Sequence, residues 1–338
     1  MAIQWLIEDW LPIGHKGQIT APEGSFKTML LSHCSVCIAS GTAIFGHRIQ
    51  QGSVILEDEE TPEPSLDTHL DRFSQGLGYN SWKDLPITKL SMSGFKFGRR
   101  TELHKLLAII EDVKPRLISL DSLIAMLPGG RQGIYENDSN LGIIVRDDLN
   151  KMLECYPYST TLLAAHSKKF VSELRLEDLR KYDMQSLVRG HGSIVGEGCD
   201  TGFIIKKISE HPEPTRFAII TKSRRQAIPM SAKIVYVELE EQSYGKGWAR
   251  LKEIPPTILP PSKIAKELFL LFVDKDYHTS REIVNKYAFY GRTECYTGVL
   301  ELLEHKVITN TSKPQTYTLN LYCRQQCDPV YLATLKKK

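Results

Sequence analysis

The residues best suited to chemistry stand eight in a row, Ala21-Pro22-Glu23-Gly24-Ser25-Phe26-Lys27-Thr28, between the β-rich run GQIT and the apolar run TMLLSHCSVCIAS. A loop that leaves a strand and opens a helix turns its backbone N–H groups and the helix N-terminus toward one point, where phosphate oxygens are held. Lys27 would bring positive charge to the outer phosphates, and the Thr28 hydroxyl would be a ligand to Mg2+. The loop departs from the pattern GxxxxGK[ST] at Ala21, in the place of the first glycine, and at Phe26, in the place of the second. The second departure is the serious one, because that glycine takes a backbone conformation that bulky residues avoid. The competing reading is an ordinary strand-to-helix turn.

Two acidic strand ends follow in the order such a site needs. Leu117-Ile118-Ser119-Leu120-Asp121 is an apolar strand closing on a carboxylate, suited to hold the water shell of Mg2+ beside the phosphate loop. The run 54–60, VILEDEE, is a second apolar strand running into acid, where a carboxylate could orient and deprotonate an attacking water. Glu59 and Glu60 both qualify by position. The plainer alternative is that this run caps the next helix and faces solvent.

Positioning these groups requires strands that end together. From Lys16 to about Leu239 short β-rich runs alternate with helix-period stretches, the pattern of an α/β domain with a largely parallel sheet. The predicted strands are GQITA, GSVILED, RLISLD, TTLLAAH, TGFIIKK, FAIITK and KIVYVELE; the predicted helices cover 27–40, 66–77, 101–112 and 140–156. The Gly-rich stretch 127–138 reads as a loop. The proline cluster IPPTILPPS then marks a stiff connector. The expected layout is an ATPase-type α/β domain over 1–253, a linker over 254–261, a small domain over 262–322, and a tail over 323–338. In the small domain, helices over 262–273, 279–287 and 292–305 and the β-like runs VITNT and TYTLNLY outline a winged helix-turn-helix.

Composition sets outer bounds. With 338 residues, 41% hydrophobic and 25% charged, the chain can bury an ordinary core in roughly two domains. No apolar run approaches the length of about 20 that a membrane helix needs, and MAIQWLIEDWLP lacks the marks of a signal peptide, so a cytoplasmic protein without membrane attachment is expected. Seven cysteines, an odd number widely spread, read as reduced thiols. Cys34 and Cys37, with Cys323 and Cys327, could in principle bind zinc, but the first pair lies in the apolar run after the phosphate loop and reads as core packing. A net charge of +3 gives no argument for nucleic acid.

From Trp5 to about Val237 the chain resembles the RepA-type branch of the RecA/DnaB-like hexameric P-loop ATPases, the plasmid and phage helicase group. Phosphate loops in that group sometimes read GSxKS, to which GSFKT is similar. DEETPEPSLDTHLDRF resembles the group's acidic strand end, which implies Glu60 as the water-activating carboxylate. TTLLAAHSKK resembles a strand ending in a double histidine; Ala165 replaces the first, leaving His166 as the implied sensor of bound phosphate, where a lone strand-end histidine would otherwise read as structural. Arg189-Gly190-His191-Gly192-Ser193 with Asp200 is similar to a stretch near the ring channel or the nucleotide. FAIITKSRR resembles a strand whose basic end reaches the neighbouring subunit's ATP, implying that Lys222 with Arg224 or Arg225 acts in trans; the alternative is a solvated basic hairpin.

The resemblance thus implies a RecA-like P-loop NTPase core, ATP and Mg2+ as cofactors, Thr28 and Asp121 on the metal, and a ring of subunits, usually a hexamer. With a C-terminal winged helix, the expected activity is that of a Mg2+-dependent ATPase and DNA helicase or translocase. It would act on single-stranded or duplex DNA, with replication or repair proteins as further partners. The alternative is an ATP-switched DNA-binding regulator, loader or recombination mediator with slow turnover; a degenerate, structural ATPase fold is a third. The small domain would present Arg292, Thr293, Tyr296 and Lys306 to DNA, or serve as a protein-docking cap, since Glu294, Glu301 and Glu304 disfavour phosphate.

Overall fold

Strands whose side chains are buried on both faces read as continuous apolar runs, and these runs form the middle of a nine-stranded sheet. The computed structural model divides into two units, Met1–Glu253 and Ile254–Lys338. It describes residues 3–128, 139–174, 176–182, 184–188, 199–209, 214–223 and 234–254. In the second unit it describes residues 268, 277–286, 299, 302–303, 308–310 and 316–319.

The first unit opens with a short antiparallel pair, β1 (Trp5–Ile7) and β2 (Leu11–Pro12). The main sheet follows: β3 (Lys16–Ala21), β4 (Val54–Asp58), β5 (Ile87–Ser91), β6 (Leu117–Asp121), β7 (Thr160–His166), β8 (Thr201–Ser209), β9 (Arg216–Ser223), β10 (Ile234–Ser243) and β11 (Lys246–Ile254). Their spatial order is β11-β10-β9-β8-β3-β7-β6-β4-β5. The strands from β5 to β8 pair in parallel, while β9 returns antiparallel to β8 and β10 antiparallel to β9. This is an α/β fold with a mostly parallel sheet.

Helices cover both faces. Along each strand alternate residues point to opposite sides. Ile19, Val54, Leu56, Leu117, Leu162 and Ala164 therefore join one core with α1 (Lys27–Ser40) and α2 (Glu63–Gly76). Ile55, Ile118, Leu120, Leu163 and Ala165 join the other with α3 (Arg100–Val113) and α4 (Ser139–Cys155). α2 starts three residues earlier than the sequence reading, because Pro62 at its cap and Pro64 in its first turn are both compatible with a helix start. Its buried face, Leu66, Leu70 and Phe73, has helical spacing.

β5 and β11 were not predicted. Both are edge strands, and edges tolerate polar and charged residues that blur the apolar alternation. The β10–β11 hairpin is tied to α2 by an Arg72–Glu241 ion pair and by Arg72 Nε donating to the Gly247 carbonyl at 3.1 Å. A methyl group at Gly76 would lie 2.0 Å from the Ala249 carbonyl oxygen, so this approach requires glycine.

Cys34 and Cys37 are buried within α1, where burial pushes the Cys34 thiol up to about 12 and the Cys37 thiol well above its ordinary range. They behave as packed apolar groups. Cys323 and Cys327 lie outside the described residues.

In the second unit, β12 (Tyr277–Thr279), β13 (Ile308–Asn310) and β14 (Thr316–Leu319) form an antiparallel sheet in the order β12-β14-β13. β12 was not predicted; three residues carry little periodicity. A helix, Ser280–Lys286, follows it directly. Thr279 and Glu282 exchange a reciprocal cap: Glu282 N donates to Thr279 Oγ1 at 3.2 Å, and Thr279 N donates to Glu282 Oε2 at 2.8 Å. Most of the predicted linker and helices 262–273 and 292–305 lies outside the described residues, as does the tail. No helix among the described residues is long and apolar enough to cross a membrane.

Candidate nucleotide-binding and catalytic site

Because β3, β7, β6 and β4 run parallel, their C-terminal ends share one edge of the sheet, where ligands of open α/β folds bind. In register, Ala21 stands beside His166 and Asp58 beside Asp121. The loop Ala21–Thr28, His166, Asp121 and Glu60 therefore converge. Thr28 Oγ1 donates to Asp121 Oδ2 at 2.5 Å, linking the phosphate loop to β6 across the intervening β7.

The loop keeps a glycine-type backbone despite its phenylalanine. Phe26, the residue capping α1, has φ 60° and ψ 15°. A left-handed conformation costs a bulky residue about 1–2 kcal/mol. Its ring stacks on Phe217 of β9, with centroids 5.3 Å apart and planes 13° from parallel. Gly24, at φ 69°, supplies a second left-handed turn. Lys27 is buried, with Nζ donating to the Pro22 carbonyl at 3.1 Å and lying 3.4 Å from His166 Nδ1. Desolvation lowers its pKa, opposed by the charges of Asp121, Glu60 and Glu23.

The carboxylates are crowded. Burial first, then the charges of Asp58 and Glu60, pushes Asp121 up to about 7, against the Thr28 hydroxyl and Lys27. Asp121 Oδ1 and Asp58 Oδ2 are buried without a hydrogen-bond partner among the described residues. A hydroxyl and a carboxylate in contact, with unpartnered buried oxygens and excess negative charge, form a hard-oxygen set that fits Mg2+. Among the described residues no group of three His, Cys, Asp or Glu forms a metal site. A P-loop site does not need one, since phosphate and water supply the remaining ligands. Bound there, Mg2+ would neutralise charge on the outer phosphate oxygens.

The structure separates the two glutamates that position alone leaves open. Asp58 Oδ1 accepts from the backbone N–H groups of Glu60, at 2.8 Å, and Thr61, at 2.7 Å, fixing the turn that presents Glu60. Glu60 Oε2 accepts from Ser122 Oγ at 2.5 Å and lies 3.8 Å from His166 Nε2. His166 first, then Ser122 and Lys27, holds the Glu60 carboxyl down at about 2 against the opposing effect of burial. Glu59 turns away: it accepts from Gly94 N at 2.7 Å and from Lys96 Nζ at 3.2 Å.

Beside Glu59, Glu57 is buried and receives the Ser93 hydroxyl at 2.7 Å; burial raises its carboxyl to about 8. A carboxyl raised from 4.5 keeps its proton longer in the folded chain than in the unfolded one. Its contribution is full below pH 4.5 and is lost as pH rises to about 8. Thermal melts should therefore show Glu57→Gln losing part of the wild-type decline in Tm across that window; an unchanged decline would contradict the assignment.

Lys222 lies elsewhere. It is level with Gly202 of β8, which is level with Gln18 of β3. That puts it roughly 10 Å back along the sheet from Ala21 and two strands, about 10 Å, to the side. A lysine side chain does not span this distance to its own loop. Arg224 and Arg225 lie outside the described residues, as does 189–193. Asp200 sits at the same remote end, its Oδ2 accepting from Lys16 N at 3.2 Å, so it pins the start of β3 instead of facing its own chain's phosphate loop.

Ser122 and Phe217 belong to the site but escaped the sequence reading. Ser122 could have been found from its place after Asp121; Phe217 carries no linear signal.

With this geometry in view, the family model described as an AAA domain matches residues 2–169. Among solved structures, a KaiC-like protein of the hyperthermophilic archaeon Pyrococcus horikoshii OT3 is similar, with 13% identity and a TM-score of 0.47 over 74% of this chain and 94% of that one. A search of curated proteins matched none.

Proposed function

We propose that this chain, a P-loop ATPase with a RecA-like core, is a Mg2+-dependent, ATP-driven DNA motor of the RepA-like helicase or translocase kind, acting as a ring in replication or repair. Lys27 and the loop backbone hold the phosphates, Thr28 and Asp121 hold the metal, and Glu60 orients the attacking water. His166, between Lys27 and Glu60, senses the outer phosphate. The observation that carries the ring is the distance of Lys222 from its own loop: a basic strand end that cannot serve its own site suits the site of a neighbour. The DNA assignment is supported by the sequence resemblance and by the order β12-β14-β13 with a helix after β12, which suits a winged helix.

The slow-turnover alternative, an ATP-switched DNA-binding regulator, loader or recombination mediator, is favoured by one observation. A carboxylate held at about 2 is a weak general base, better at orienting water than at taking its proton.

Mixing inactive variants tests completion in trans. Lys27→Ala and Lys222→Ala chains, each inactive alone, should together recover about a quarter of wild-type hydrolysis, the share of interfaces pairing an intact loop with an intact Lys222. No recovery would contradict the shared site.

A further inference from the structure

The phosphate loop of this chain has a bulky residue where its pattern calls for glycine, yet its backbone is left-handed there, at φ 60°. Glycine adopts that conformation without help; phenylalanine needs something to hold it. The contact that does so is visible. The Phe26 ring lies nearly parallel to that of Phe217, 13° between planes and 5.3 Å between centroids, and Phe217 is fully buried in the core that includes α1. Phe217 stands next to the first residue of β9, locked in register opposite Val237 of β10 and Lys207 of β8, so its ring is a fixed platform. Immediately after Phe26 come Lys27, held at the Pro22 carbonyl, and Thr28, held at Asp121. A relaxation of residue 26 to ordinary negative φ would swing both away from those partners.

We infer that Phe217 is a positioning residue for nucleotide binding, its ring holding Phe26 in the left-handed conformation that the phosphate loop requires. The inference deepens the reading of Ala21–Thr28 as a phosphate loop and rests on it. It makes the loop's shape depend on a β9 side chain, where a loop with glycine in the place of Phe26 would carry its shape within itself.

The test is a cycle of four full-length proteins: wild type, Phe217→Leu, Phe26→Gly and the double variant, with Mg2+-ATP affinity measured by titration calorimetry and folding checked by thermal melts. Phe217→Leu keeps the core filled while removing the flat ring face, and Phe217→Met takes its place should that variant not fold. With Phe26 present, losing the platform should weaken ATP binding about tenfold, the scale of the left-handed strain. In the Phe26→Gly background the same change should leave affinity within about twofold, since glycine needs no platform. A purely structural role for Phe217 would give equal losses in both backgrounds, and that result, or no loss with Phe26 present, overturns the inference. Absence of ATP binding by the wild type would instead overturn the phosphate-loop reading itself.

Discussion

Replacing Lys27 with alanine is expected to lower ATP hydrolysis by at least about 100-fold, the usual cost of removing a preorganised charge from a transferring phosphoryl group. Its ammonium is already in the site, held at the Pro22 carbonyl and beside His166, so no ordering is needed when nucleotide arrives. Lys27 is also the counter-charge to Asp121 and Glu60, which raise its affinity for a proton. Without it those carboxylates would face incoming phosphates unopposed, and binding should weaken together with turnover. Steady-state hydrolysis and ATP titration on the same preparation check both effects. Wild-type turnover by Lys27→Ala would remove the loop from the mechanism.

Glu60→Gln should separate the two effects. The amide retains the shape of the side chain and can still meet Ser122 and His166, but the charge that orients and polarises water is gone. Turnover is expected to fall about 100-fold to 10,000-fold, the range for a positioned acid or base, with ATP still bound. Loss of a negative charge near the outer phosphates should also slow release, so a filter-binding or gel-filtration assay should find ATP trapped on the protein. Normal hydrolysis would pass the role to another carboxylate. Glu59 is a poor heir, because Gly94 and Lys96 already occupy its oxygens; Asp58 is committed to the turn that presents Glu60.

The middle of the sheet was legible because strands buried on both faces leave unbroken apolar runs such as LISL and TLLAA. Its edges were not: β5 and β11 mix charge with apolar residues because they are the outer strands of the sheet. In the site, Lys27, Thr28 and Asp121 were readable as linear positions after strands, whereas His166 was singled out only by the resemblance. Position alone left Glu59 and Glu60 open and only the resemblance implied Glu60; in the fold the two are told apart by partners distant in sequence, Gly94 and Lys96 for Glu59 and Ser122 and His166 for Glu60. Phe26 posed the same difficulty. Its type argued against the loop, and the ring that accommodates it comes from β9, which only the folded chain brings near. The level of Lys222 likewise depends on the antiparallel return of β9, which alternation alone does not reveal.

The most direct test of the account is steady-state ATP hydrolysis with Mg2+ by the full chain, at fixed salt, without DNA, with single-stranded DNA and with duplex DNA. Hydrolysis is expected to require Mg2+ and to rise strongly with single strands. Slow hydrolysis indifferent to DNA would contradict the motor and leave the nucleotide switch, and no hydrolysis under any condition would contradict the catalytic site.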